Sequence, residues 1–326
     1  MGWLNWVFTT GTIRYTYRMG EPILTTTEFT TELELQTGAP ADGHPLWASR
    51  FLVTDPEACV ATYRELIRSG AGMVFTNTYQ ATPEAFMTHL ELTESEALDV
   101  FKESVNLCRR AIKEEKMQNI IVAGSVGSIN ALRADGSEYS GEFCSGISRE
   151  TYISKHRSRL QALVDGGVDF ITFETLPCSE EALALIDLLR EFPGIKGWIS
   201  FFGRNTTEIS NGEKFADAAV KCWARGKDQL VAVGVNCLDP AWVTPLFLSL
   251  KASDPTIPFV AYPNSGEKYD TAAKKWTPCE SQKRVADYFP EWLDMGIAYV
   301  GGCCRNTAED LRDMKRTMNA WKKNKN

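Results

Sequence analysis

Residues 168–202 read VDFITFETLPCSEEALALIDLLREFPGIKGWISFF. The run Phe170–Glu174 is short, apolar and rich in aromatic and β-branched residues, which suits a strand covered on both faces. Ser179–Arg190 instead repeats apolar residues every three or four positions, the period of an amphipathic helix. Gly197–Phe201 returns to the strand pattern. Strand, helix and strand in this order make one βαβ unit, because parallel neighbours need a crossover connection.

The alternation continues in both directions. Further strands are expected at Ile23–Thr27, Met73–Thr76, Ile120–Gly124, Leu230–Val235, Pro258–Tyr262 and Ala298–Gly301. Helical spacing marks Asp55–Ser69, Ser95–Glu115, Arg149–Asp165, Lys214–Arg225, Ala241–Lys251, Gln282–Met295 and Thr307–Trp321. Thr54-Asp55-Pro56, Thr82-Pro83 and Asp239-Pro240 supply cap chemistry at helix starts. No Gly/Ser linker or low-complexity block interrupts the series. The pattern predicts a single α/β unit, a (β/α)8 TIM barrel over residues 23–326. Residues 1–22 fit the rhythm poorly and are set apart as an atypical N-terminal lead-in. Within them, GTIRYTYRMG reads either as a strand or as irregular chain. Long loops are expected at Asp135–Phe143 and Pro263–Thr277, on the C-terminal face where barrels build their sites.

The 326 residues are 44% hydrophobic and 24% charged, an ordinary globular balance. With 35 basic and 42 acidic residues the formal charge is -7, which argues against nucleic acid or an anionic membrane as partner. Small-molecule substrates are expected instead, and composition carries no signal for an oligomeric state. No apolar run approaches the roughly 20 residues that cross a bilayer. The opening MGWLNWVF lacks the basic n-region of a secretion signal. Nine cysteines at irregular spacing do not make a disulfide framework. They point to a reducing, cytoplasmic setting, where thiols bind metal or pack in the core.

Two strand ends carry the chemistry. LVAVGVNC closes on Cys237, and AYVGGCC closes on Cys303 and Cys304. Alternate strand ends on a barrel rim stand roughly 10 Å apart, so inward side chains of ~3 Å reach meet at one ion. Gly301 and Gly302 are expected to let the backbone turn tightly and present both neighbouring thiols. Three thiolates suit Zn2+ and leave a fourth position open for water or substrate. The competing reading is three separately buried cysteines; an adjacent pair with a third two strands away favours metal. Cys59, Cys108 and Cys222 in helices, and Cys144, Cys178 and Cys279 in loops or helix starts, read as inert.

FETLP puts Glu174 on the same rim. A carboxylate there either receives the ammonium of an amino-acid substrate or forms a structural ion pair. Asn236 either orients substrate or a ligand loop, or caps a turn. No Walker loop, GxGxxG after a strand, HExxH or nucleophile elbow is present. Three scattered histidines give little support to histidine-based chemistry.

In these residues the chain resembles the homocysteine S-methyltransferase family. The likeness rests on GVNC at Cys237, GGCCR at 301–305, FETLP at Glu174 and YPNSGE at 262–267, with TNTYQATPEAF at 76–86 and ADGSEYSGEF at 134–143. It runs from about Phe29 to Trp321. It implies that Cys237, Cys303 and Cys304 bind zinc and that Glu174 holds the substrate ammonium. The ADGSEYSG loop is similar to the branch using S-methylmethionine or S-adenosylmethionine, rather than the betaine- or folate-using branches. One feature departs from the pattern. The family opens with an Asp-Gly pair before Thr-Glu-Leu, and its aspartate helps hold the amino acid; here Thr26-Thr27 occupies that place. Glu28 is the nearest candidate to stand in for that carboxylate.

The resemblance implies methyl transfer from a sulfonium donor to the homocysteine thiol, a step of methionine biosynthesis. A thiol of pKa near 8.5 is mostly protonated at neutral pH, and zinc removes that proton while leaving a lone pair for attack. Two other readings stand beside it: a zinc- or amino-acid-binding barrel impaired by its altered first strand, and a methyltransferase acting on a selenol.

Overall fold

The computed structural model describes residues 6–10, 13–17, 21–41, 43–133, 136–270, 275–277 and 283–325. In chain order the strands are β1 (Trp6–Thr10), β2 (Ile13–Tyr17), β3 (Ile23–Leu24), β4 (Met73–Phe75), β5 (Ile121–Gly127), β6 (Phe170–Leu176), β7 (Lys196–Phe201), β8 (Leu230–Asn236), β9 (Phe259–Tyr262), β10 (Lys268–Asp270), β11 (Lys275–Thr277) and β12 (Tyr299–Val300). Eight of them form one sheet in the order β3-β12-β9-β8-β7-β6-β5-β4. Every pairing within it is parallel. A parallel bridge between Thr25 and Met73, with a 2.8 Å bond from the Gly72 N–H to the Leu24 carbonyl, joins β3 to β4 and closes the ring. This is a TIM barrel.

All eight expected barrel strands are found, within a few residues of their expected ends. The helices follow, among them Pro56–Arg68, Glu94–Glu114, Arg149–Asp165 and Ser179–Leu189. Their caps are the ones the sequence offers. Asp55 accepts from the Ala58 N–H at 3.0 Å, Thr82 from Ala85 at 3.0 Å, and Asp239 from Ala241 at 2.9 Å, each with a proline following. Each such cap contributes about 1 kcal/mol.

The structure adds elements that periodicity did not reveal. Ile13–Tyr17 of the lead-in pairs with Trp6–Thr10 as an antiparallel hairpin. A helix, Phe29–Thr37, follows the first strand directly. The expected loop Asp135–Phe143 contains a single helical turn, Ser137–Ser140, while Ala134 and Asp135 lie outside the described residues. The expected loop Pro263–Thr277 contains the β10–β11 hairpin. Such short elements fall below the window in which a hydrophobic period can be read. Cys279 also lies outside the described residues.

The core has two layers. Between strands and helices lies a continuous aliphatic and aromatic shell. Inside the barrel, Met73, Phe170, Trp198, Val260, Tyr262 and Tyr299 form a second cluster. The Trp198 ring centroid lies 5.0 Å from those of both Phe170 and Tyr299, and 5.9 Å from Phe75 and Tyr262. Each large side chain buried there contributes about 2–3 kcal/mol. This aromatic plug packs the barrel interior below the strands' C-terminal ends. Among the described residues, no helix is long and apolar enough to cross a membrane.

Candidate active site

A cavity of about 520 Å³ opens at that face, within the range of small-molecule sites. Its wall includes Cys237, Cys303 and Cys304, which come from two strands separated by β9. Their three sulfurs lie within 4.8 Å of one another. Cys237 Sγ is 3.3 Å from Cys304 Sγ, and Cys303 Sγ is 4.0 Å from Cys304 Sγ. The edge of a tetrahedron with metal–sulfur bonds near 2.3 Å is about 3.8 Å, so the cluster has the size of a metal site. The three residues expected at one ion are brought together.

Hydrogen bonds from Cys303 and Cys304 hold the Cys237 thiol well below its usual range. The same bonds to Cys237 hold the other two thiols well above theirs. The three thiols thus compete for their protons, and a cation among them would favour losing more. Tyr139 adds a contact, its hydroxyl 3.7 Å from Cys237 Sγ. Cys237 takes a left-handed backbone with φ of 57°, which is sparsely populated for a side-chain-bearing residue and marks a constrained site.

Gly301 and Gly302 serve a purpose other than the tight turn expected of them, since neither adopts positive φ. A Cβ on Gly301 would stand 2.0 Å from Thr25 Oγ1 and 2.8 Å from the Thr26 carbonyl oxygen. One on Gly302 would stand 3.0 Å from Thr27 Cγ2. The glycines let the first strand lie directly against the cysteine pair.

Glu174 is buried at the end of β6 and lines the cavity. Its Oε1 accepts from the Ser125 hydroxyl and, at 3.2 Å, from Thr172 Oγ1. Among the described residues no basic side chain pairs with it, so the structural ion pair is absent. Burial, above all, raises its pKa to about 7. A buried carboxyl lacking a cation in a cavity is prepared for a cationic ligand group.

Asn236 also lines the cavity, yet most of its amide is engaged within the barrel. Oδ1 accepts from the Thr175 N–H and from Ser200 Oγ, both at 2.8 Å, and Nδ2 donates to Thr175 Oγ1 at 2.7 Å. Thr175 has φ of 57°, and it is the residue after Glu174. Asn236 therefore braces the strained turn that aims the carboxylate. Ser125, Thr172, Thr175, Ser200 and Tyr139 escaped the sequence reading. For the first four, the signal available was a hydroxyl placed within otherwise apolar strands.

The first strand supplies the last wall. Thr26 and Thr27 are buried, line the cavity, and keep side-chain hydroxyls without a hydrogen-bond partner. Glu28 Oε2 accepts from Thr31 Oγ1 at 2.5 Å and from the Arg305 N–H at 3.1 Å, and its Oε1 is 3.3 Å from Cys304 Sγ. Burial, chiefly, raises the Glu28 pKa to about 7.

A family model described as homocysteine S-methyltransferase matches residues 28–318. A homocysteine S-methyltransferase of Escherichia coli strain K12 is 37% identical over 291 residues, covering 87% of this chain and 91% of that protein. A betaine-homocysteine S-methyltransferase of Drosophila melanogaster is 35% identical over 305 residues, covering 88% and 91%. The metallated form of the homocysteine methyltransferase MmuM from Escherichia coli is similar in structure. Its TM-score is 0.78 at 34% identity, with 91% of this chain and 96% of that chain covered.

Proposed function

The chain belongs to the homocysteine S-methyltransferase family, and on that premise we propose how its own residues carry out the reaction. It is a methyltransferase acting on the sulfur of homocysteine. The observation that carries the finer reading is the meeting of three thiols and a buried, cation-free carboxylate in one cavity.

Cys237, Cys303 and Cys304 hold a zinc ion, which when bound keeps the substrate thiol ionised at neutral pH with a lone pair free for attack. Glu174 takes the substrate ammonium, oriented by Ser125 and Thr172, and Asn236 braces the turn beside it. The homocysteine sulfur attacks the donor methyl in line. The new S–CH3 bond forms as the donor's S–CH3 bond breaks, and the electron pair stays on the donor sulfur. Because the donor loses its positive charge, no general acid is required. Holding thiolate and methyl at near-attack distance is then a large share of the acceleration.

The donor is S-methylmethionine or S-adenosylmethionine. Trp47, Tyr79 and Tyr139 line the same cavity, and aromatic faces attract a sulfonium cation. Tyr139 and Glu138 belong to the ADGSEYSG segment on which the donor assignment rests. The betaine in the name of the Drosophila relative is also a methylated cation, so the donor panel must include it. Dependence on reduced thiols suits a cytoplasmic location. The test is purified protein with its metal content measured, then assayed with homocysteine and each of the three donors. Methionine formation from a sulfonium donor with about one zinc per chain is the expected result. Turnover with betaine alone would overturn the donor assignment.

A further inference from the structure

Three buried polar side chains outside the cavity take no part in the chemistry above. Arg159 and His156 lie on the helix Arg149–Asp165, and Glu181 on the helix Ser179–Leu189. They form a chain. Arg159 Nε and Nη2 donate to His156 Nδ1 at 3.2 and 2.6 Å. A guanidinium only donates, so the ring proton sits on Nε2, which donates to Glu181 Oε1 at 2.9 Å. The same oxygen accepts from the Ile129 N–H at 2.6 Å. Burial lowers Arg159 to about 10 and raises Glu181 to about 8, and their mutual attraction opposes both movements.

The other donors of Arg159 go to backbone. Nη2 also donates to the Gly127 carbonyl, and Nη1 to the carbonyls of Ala81 at 3.3 Å and Tyr79 at 3.5 Å. Gly127 ends β5 and Tyr79 lies in the loop after β4, so one side chain joins two neighbouring strand ends. The Gly127 N–H donates to the Tyr79 carbonyl at 3.1 Å. The Tyr79 ring lies against the Gly127 α-carbon, where a Cβ would stand 2.5 Å from Tyr79 Cε2. Among the described residues the Tyr79 hydroxyl has no hydrogen-bond partner, so its ring is placed from the backbone end. That ring lines the cavity and meets Trp47 edge-on, with centroids 6.5 Å apart. Ile129, held by Glu181, precedes Asn130, whose carbonyl accepts from the Ser137 hydroxyl at 3.3 Å in the turn before Tyr139.

We propose that Arg159 is the positioning residue for the methyl donor: braced by His156 and Glu181, it pins the Tyr79 backbone to the end of β5 and so sets the aromatic wall that faces the sulfonium. It acts through Tyr79 and lies outside the cavity lining, and its role rests on the sulfonium-donor reading above. Glu174 and the rim cysteines are carried by other strands, so the effect is specific to the donor.

The test compares full-length variants in steady-state kinetics with S-methylmethionine or S-adenosylmethionine, whichever the wild type uses better. Arg159→Met combined with Glu181→Gln removes both ends of the buried chain at once, a kind of change that folds commonly tolerate. The expected result is a rise of about tenfold in the donor KM with a fall in kcat, because small displacements from near-attack geometry are costly. The KM for homocysteine and the zinc content should not change. Tyr79→Leu should show a loss of the same kind, and adding it to the charge variant should do no more than Tyr79→Leu alone, as when one residue acts through another. Gly127→Ala displaces the Tyr79 ring with Arg159 intact, and the same donor-specific loss is expected there even if the charge variant does not fold. An unchanged donor KM in the charge variant or in Gly127→Ala would overturn the proposal. So would losses that add, or KM values for donor and homocysteine that rise together. Turnover of neither donor by the wild type, or an unaffected donor KM in Tyr79→Leu, would instead remove the sulfonium reading, and the clamp's role with it.

Discussion

Two walls of one cavity are built on opposite terms. At the ends of β8 and β12, Cys237, Cys303 and Cys304 follow the family pattern, and their sulfurs close to within 4.8 Å. After β3, Thr26-Thr27 stands in place of the expected Asp-Gly, yet this segment lies tightly against Gly301 and Gly302. The first wall keeps the chemistry and the second keeps the packing. A barrel tolerates this because each rim residue is carried by its own strand, so one strand end changes without moving the others. The walls are in close contact, although Thr26-Thr27 stands where the resemblance leads one to expect Asp-Gly.

The comparison is broken most completely by removing a thiol. Cys304→Ala should reduce zinc from about one per chain to near zero, and methionine formation should fall by more than about a thousandfold. Cys108→Ala, at a buried helix position, should keep full zinc and cost only about 1 kcal/mol in denaturant unfolding. Full metal in the Cys304 variant would separate the rim cysteines from any metal role.

Forcing the walls apart is the next largest effect. Gly301→Ala places a methyl 2.0 Å from Thr25 Oγ1 and against the Thr26 carbonyl. A loss of about 3 kcal/mol in unfolding free energy is expected, typical of overpacking against backbone. Unchanged stability would mean that the first strand is free to withdraw.

Glu174 sharpens the comparison by testing the wall opposite the first strand. Glu174→Gln should weaken homocysteine binding by about a hundredfold, about 3 kcal/mol, with zinc retained. The pH dependence has a definite sign. Burial raises the carboxyl to about 7, so below that pH it is mostly neutral and cannot pair with an ammonium. Binding of methionine, which has no thiol to titrate, should therefore tighten about tenfold from pH 6 to pH 8. Calorimetry of the Gln variant should show no such dependence; a slope that survives the substitution belongs to another group.

The smallest effect comes from repairing the altered wall. Thr26→Asp with Thr27→Gly restores a carboxylate where two hydroxyls now lack partners. Homocysteine affinity should rise about fivefold, about 1 kcal/mol, because Glu28 and Glu174 already place acid in the cavity. Zinc content should not change. No gain in kcat/KM would indicate that the present wall is already matched to its substrate.

How much of this was readable in the chain depends on the range of the interaction. Phe170–Leu176 and Ser179–Leu189 announce themselves because burial on two faces, or on one stripe, imposes a period on neighbouring residues. Cys237 and the Cys303–Cys304 pair were legible for a related reason, since a strand end on a barrel rim has only one place to point. The N-terminal hairpin and the turn Ser137–Ser140 carried no such period, being too short to show one.

What the sequence determined by itself was therefore the barrel and the identity of the three thiols that meet at its rim, both written in local pattern. Only the tertiary structure decided what Glu28, Asn236 and the two glycines do. Asn236 braces Thr175 from two strands away, and Gly301 makes room for a strand more than 270 residues earlier in the chain. Glu28 meets Cys304 across the seam where the ring closes. Contacts of that kind arise from closure of the barrel, which brings first and last strands together. No local period in the sequence records them.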